Sequence, residues 1–204
     1  LATPDIMNKW VESLLEYYRV GGWLPNGPPG VEYCDIMGAQ HEIPLMVSAY
    51  QKGIRNYDVD KAYEAVKKTL TTQGTALSSG GIVGNRHLDV YLKYGFVPYG
   101  EKSHHNVFGT TYEGPTSNTL EYAFDDWNAA QFAKALGYEE DYDYFTRRAY
   151  NYKNVFDSET KYVRPKYSDG TWMPDFEPIN KDEHSTSWSW LGSGFVEGNL
   201  WQYT

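Results

Sequence analysis

Along the first 21 residues the apolar positions Met7, Trp10, Leu14 and Tyr17 recur at steps of three and four. That period predicts an amphipathic helix with this stripe turned inward. Thr3 is placed to cap it, Pro4 suits its first turn, and Gly21-Gly22 end it. EIPLMVSAYQKG predicts a second helix stopped by Gly53. Asp58 caps a third, DVDKAYEAVKKTL, which turns Val59, Ala62, Val66 and Leu70 inward. HLDVYLKYG is a short fourth with a glycine stop. The clearest helices follow. TSNTLEYAFDDWNAAQFAKALG sets Leu120, Phe124, Trp127 and Ala130 on one side and ends at Gly137. EEDYDYFTRRAYNYKNVFD sets Tyr142, Phe145, Ala149, Tyr152 and Phe156 at alternating steps of three and four. Their very short connection makes these two antiparallel neighbours.

Between helices the pattern changes. WLPNGPPGVEYCDIMGAQH, residues 23–41, is rich in Pro and Gly yet carries Trp, Tyr and Met. A plain solvent linker would not hold so many apolar groups, so this is a candidate binding loop. Residues 73–86 read as a flexible loop, and residues 157–196 lose the helical period. No strand-turn-strand series competes. The predicted fold class is therefore all-α, an array of helical hairpins as in an (α/α) toroid, without a strict sequence repeat.

Composition narrows the partners. Aromatic residues make up 17% of the 204, with 19 Tyr and 7 Trp. Their apolar faces and polar rims suit sugar rings, although aromatics also fill cores. The formal charge is -9 and no basic run occurs, which argues against nucleic acid. No apolar run approaches the roughly 18 residues of a membrane span. A single cysteine, Cys34, excludes an internal disulfide and a cysteine-rich zinc site. The sequence begins LATPDIM, with neither initiator Met nor signal peptide, and is expected to be cut from something longer.

Few side chains stand out as chemistry. Glu197 lies in FVEGNLWQYT beside Gly198, with Trp188, Trp190, Phe195 and Trp201 near in sequence as a low-dielectric wall. Glycosidic hydrolysis needs a protonated carboxyl at the leaving oxygen, which an apolar wall favours and a helix-start dipole opposes. Locally the stretch also reads as a helix-start glutamate with no chemistry. Glu121 and Asp125 stand four apart and share a helical face, with Asp126 adjacent. Such carboxylates form an acid–base pair or a metal site, or more often a solvated face or partners for Arg or Lys. Asp35 and His41, inside the apolar loop, offer an acceptor and a donor for sugar hydroxyls, or structural contacts. No HExxH, calcium loop, phosphate loop or nucleophile elbow is present.

Ten short stretches, in order, resemble the family 92 glycoside hydrolases. They are GGWLP, the spaced Asp35, Met37 and His41, AYQKGI, DVDKAYEAVKK, YGFVP, TLEYAFDDW, FAKALG, NYKNVFD, RPKYSDGTW and EGNLWQY. The resemblance implies a calcium-dependent, inverting exo-α-mannosidase, mostly bacterial, with an N-terminal β-sandwich and a C-terminal (α/α)6 barrel. Residues 1–204 would be one partial catalytic domain from the middle of that barrel. The family's acid motif falls on Glu197. Its mannose subsite falls on Asp35, with His41 and Trp23 beside it. The catalytic base and the calcium ligands would lie beyond this chain. MGAQH departs from the family's usual loop, and GTALSSGGIVGNR does not align with it.

The expectation is thus hydrolysis of terminal α-linked mannose, with α-1,2 linkages foremost, from mannosides or N-glycans. The fragment alone is expected to be inactive and to self-associate. Periplasmic or extracellular location follows only from the resemblance. A toroid glycosidase of another specificity, or a non-catalytic helical carbohydrate-binding protein, are the alternatives.

Overall fold

The structure is a computed structural model and describes residues 3–26, 40–77, 82–100 and 115–174. Six α-helices run through it: α1 (Pro4–Gly21), α2 (Glu42–Gln51), α3 (Val59–Thr71), α4 (Leu88–Tyr94), α5 (Pro115–Leu136) and α6 (Glu139–Ala149). A 3-10 helix, Tyr150–Val155, continues α6. Two short antiparallel ladders complete the elements among the described residues, β1 (Thr75–Ala76) with β2 (Ile82–Val83), and β3 (Phe156–Asp157) with β4 (Tyr162–Val163).

Local chemistry accounts for several ends. The Asp58 carboxylate accepts the Lys61 amide at 2.9 Å and caps α3. Gly22, Gly95 and Gly137, which end α1, α4 and α5, take the left-handed conformation that suits glycine. Thr3 precedes α1 but its side chain makes no cap bond.

The helix α5 is the hub, packing against α2, α3, α6 and the 3-10 helix. Ala129, Ala130 and Ala133 are buried near its end and let its neighbours approach closely. Phe132 reaches between them, 5.1 Å from the Tyr50 ring of α2 and 5.6 Å from the Tyr63 ring of α3. Val11, Leu15 and Tyr18 of α1, Ile43, Met46 and Val47 of α2, and Phe145 of α6 join this core. A second cluster, Leu88, Tyr91, Val97 and Tyr122, joins α4 to the first half of α5.

Several sequence expectations change. The helix expected over EEDYDYFTRRAYNYKNVFD ends at Ala149 and gives way to the 3-10 helix and β3, which leaves Tyr152 and Phe156 exposed. The inward stripe of α1 is Asn8, Val11, Leu15 and Tyr18, one position on from the expected one, and Trp10 is 60% exposed. On α5, Phe124 and Trp127 point outward, at 48% and 50% exposed, because Asp125 and Asp126 take the inner positions. Residues 73–86 contain a ladder rather than only loop. The Gln73 side-chain amide donates to the Asn85 and Arg86 carbonyls, and Gly74 packs backbone to backbone against Val83.

Candidate functional site

The first half of α5 is polar where a core would be apolar. Thr116, Ser117, Asn118, Thr119, Asp125 and Asp126 are all at most 2% exposed. Buried polar groups need partners. Thr119 accepts the Val97 amide at 2.9 Å and donates to the Pro115 carbonyl at 2.8 Å. Tyr122 accepts the His87 amide at 3.4 Å.

Asp126 is held by a cation. The Arg148 guanidinium grips it with two nitrogens, at 3.1 Å and 2.8 Å, and the Tyr91 hydroxyl donates to it at 2.9 Å. Burial pushes this carboxyl up, to about 7, against the pull of Arg148 and Tyr91. Arg148 also donates to the Leu70 carbonyl at 2.8 Å and to Tyr144 at 3.1 Å. This group therefore ties α3, α4, α5 and α6 together, and its work is structural.

Asp125, one residue earlier, has a different setting. It is fully buried, and its Oδ2 accepts the backbone amide of Gln40 at 3.0 Å. Its Oδ1 has no hydrogen-bond partner among the described residues. Desolvation raises its carboxyl well above the ordinary carboxylate range, the charges of Glu42, Glu121 and Asp126 push the same way, and the Gln40 amide pulls back. Glu121 stands one turn before it, and the His41 Nε2 lies 3.9 Å from the Glu121 Oε2. The His41 side chain is 58% exposed and that of Glu121 19%, so this pair forms an accessible rim beside a buried acid. Gln40, whose side chain is buried, precedes His41 at the point where the loop rejoins α2.

Trp23 is not an open platform. It is 8% exposed, the Lys68 ammonium sits 4.6 Å from its ring centre, and the ring packs against Gly84. Lys68 also donates to the Gly22 carbonyl, which fixes the turn before Trp23. Asp35 and Glu197 lie outside the described residues. Of the expected site residues, the structure therefore sets His41 against Glu121 and places Trp23 as a buried wall. It adds Gln40 and Asp125, which the sequence pattern did not join. Their only sequence signal was Asp125's position one turn from Glu121. Among the described residues, no group of three or more His, Cys, Asp or Glu side chains could hold a metal ion. No described helix is long and apolar enough to cross a membrane.

Comparison with known proteins supplies the context. The model of the glycosyl hydrolase family 92 catalytic domain matches residues 1–204. A protein of Arthroderma benhamiae described as an uncharacterized secreted glycosidase is 28% identical over 172 residues, covering 78% of this chain and 21% of that protein. A family 92 inverting mannosidase from Bacteroides thetaiotaomicron superposes with a TM-score of 0.72 at 30% identity, over 86% of this chain and 22% of its own. A second family 92 α-mannosidase of that organism, solved with mannoimidazole, gives a TM-score of 0.72 at 31% identity, over 86% and 21%. The chain thus spans about a fifth of the length of these relatives.

Proposed function

This chain belongs to glycosyl hydrolase family 92, as part of the (α/α) toroid of its catalytic domain, and on that premise we propose that the polypeptide carrying it is an inverting exo-α-mannosidase. The observation that carries this reading is the family match along all 204 residues, with mannosidases among the structural relatives. Terminal α-1,2-linked mannose is the proposed substrate.

In this reading Glu197 is the general acid, and its proton goes to the leaving glycosidic oxygen. Inversion requires a water on the opposite face of the sugar and a second carboxyl to take that water's proton, roughly 6.5–9.5 Å from the first. That second carboxyl is proposed to lie outside this chain. Asp35 and His41 hold hydroxyls of the terminal mannose. His41 reaches the sugar from the accessible rim that it shares with Glu121. Trp23, already packed on both Lys68 and Gly84, serves as a fixed wall rather than as a stacking surface. A calcium ion that grips sugar hydroxyls is proposed to be bound by residues beyond this chain. Export is proposed from the relative described as secreted.

Glu197→Gln in the full-length protein tests the assignment. The variant is expected to lose turnover of α-1,2-mannobiose by about 100-fold or more while still binding it, because binding energy survives the loss of one proton donor. NMR of the wild-type reaction should show β-mannose as the first product. Near-wild-type turnover by the variant would remove Glu197 from the mechanism, and α-mannose as first product would exclude inversion. Binding of mannosides without any hydrolysis would favour a carbohydrate-binding protein, and preference for α-glucosides a glycosidase of another specificity.

A further inference from the structure

One acid of α5 has no part in the proposed reaction and, among the described residues, no cation to hold it. Asp125 is fully buried, yet its hydrogen bond does not go to its own helix or to the core around it. It goes to the backbone of Gln40, 85 positions earlier, where the 23–41 loop rejoins α2. The adjacent Asp126 shows what a structural acid looks like here, clasped by Arg148 and Tyr91. An apolar residue would fill the Asp125 position at lower desolvation cost, so its carboxyl is there for what it accepts. Glu121 lies one turn earlier on the same face of α5, and its carboxylate meets the imidazole of His41, the residue that follows Gln40. Two neighbouring residues of the loop end thus meet two neighbouring acids of one helical stripe. Burial holds the Asp125 carboxyl well above its ordinary range, and the Gln40 amide pulls the other way.

We infer that Asp125 is a positioning residue of the sugar site: by accepting the Gln40 amide it fixes where the binding loop meets α2, and so holds His41 against Glu121 at the rim. The inference rests on the reading of His41 as a mannose ligand.

The test uses the full-length protein with Asp125→Leu, which keeps the branched shape and removes the acceptor, and Asp125→Asn, which keeps an acceptor. Each is measured alone and with His41→Ala, for amide exchange at Gln40 and for kcat and KM on an aryl α-mannoside. Asp125→Leu should lose Gln40 protection and raise KM by about tenfold or more with a smaller change in kcat, an effect that vanishes in the His41→Ala background because both act through one contact. Asp125→Asn should keep the protection and stay within about threefold of wild type. Losses that add to those of His41→Ala, or a Gln40 amide still protected in Asp125→Leu, would overturn the proposal. Should Asp125→Leu fail to fold, Asp125→Asn decides. Wild-type KM with Gln40 protected supports positioning, and a raised KM with Gln40 protected refutes it. A wild-type protein inactive on every α-mannoside would instead sink the mannosidase reading. The exchange comparison alone would then decide whether Asp125 anchors Gln40.

Discussion

Asp125 and Asp126 are consecutive acids, both fully buried, and among the described residues only Asp126 has a cation. That difference predicts how stability responds to pH at Asp125. Its folded carboxyl titrates well above the ordinary range, through desolvation first and neighbouring carboxylates second. The unfolded chain gives up this proton near pH 3.9. Above that pH the unfolded state binds fewer protons than the native one, so stability falls as pH rises toward the folded value. Asp125→Asn has no proton to release. The variant should therefore match wild type near pH 4 and become progressively more stable than wild type as pH climbs toward 8. Urea midpoints across that range measure it, and a difference between the two that fails to grow in the variant's favour with rising pH would show that the Asp125 carboxyl is not raised in the fold. The sequence displayed the acids of α5 and their four-residue spacing, but not this contrast. Arg148 and Gln40, which separate the two roles, come from other elements, 22 residues later and 85 residues earlier.

At the scale of elements, the β1–β2 ladder depends on one glycine. Gly84 has φ +70°, and a Cβ there would fall 2.6 Å from the Trp23 Cζ3 and 3.1 Å from the Gly74 Cα. Gly84→Ala meets both left-handed strain and a clash with a ring that Lys68 pins from another side. A loss of about 2 kcal/mol or more is expected in chemical denaturation. An unchanged midpoint would mean that the ring moves freely, against its assignment as a fixed wall. The same ladder shows where sequence reading stopped. Helices with a side-chain cap and a single apolar stripe were legible, as α3 is through Asp58, Ala62, Val66 and Leu70. A two-residue ladder held by Gln73 and by glycine backbone carries no such period. In α5, burial on nearly every side and acids on the inner face erased the stripe, and the large apolar Phe124 and Trp127 were assigned inward when they point out. At the site, the resemblance named His41, while its partner Glu121 had to be found in three dimensions.

Those outward aromatics matter at the scale of the whole molecule. Ile6 and Trp10 stand one turn apart on α1, and Phe124 and Trp127 stand three apart on α5; all four are between 48% and 60% exposed. Covering a half-exposed side chain of this size is worth about 1 kcal/mol, so eight of them across a pair of copies amount to roughly 8 kcal/mol. Association costs an estimated 4–15 kcal/mol in lost freedom, so the balance is weak and concentration-dependent. The chain spans only about a fifth of its relatives, and by itself it presents these faces without whatever a longer polypeptide would place on them. We propose that the 204-residue chain, expressed alone, self-associates reversibly. Sedimentation velocity from micromolar to near-millimolar concentration should show its mean mass rising above 23.4 kDa. Trp10→Lys with Trp127→Lys should suppress that rise, since both positions are exposed and neither lies in the core. A single 23.4 kDa species over the whole range would show that these aromatics are tolerated as surface. A rise untouched by the two lysines would move the contact to another face of the molecule.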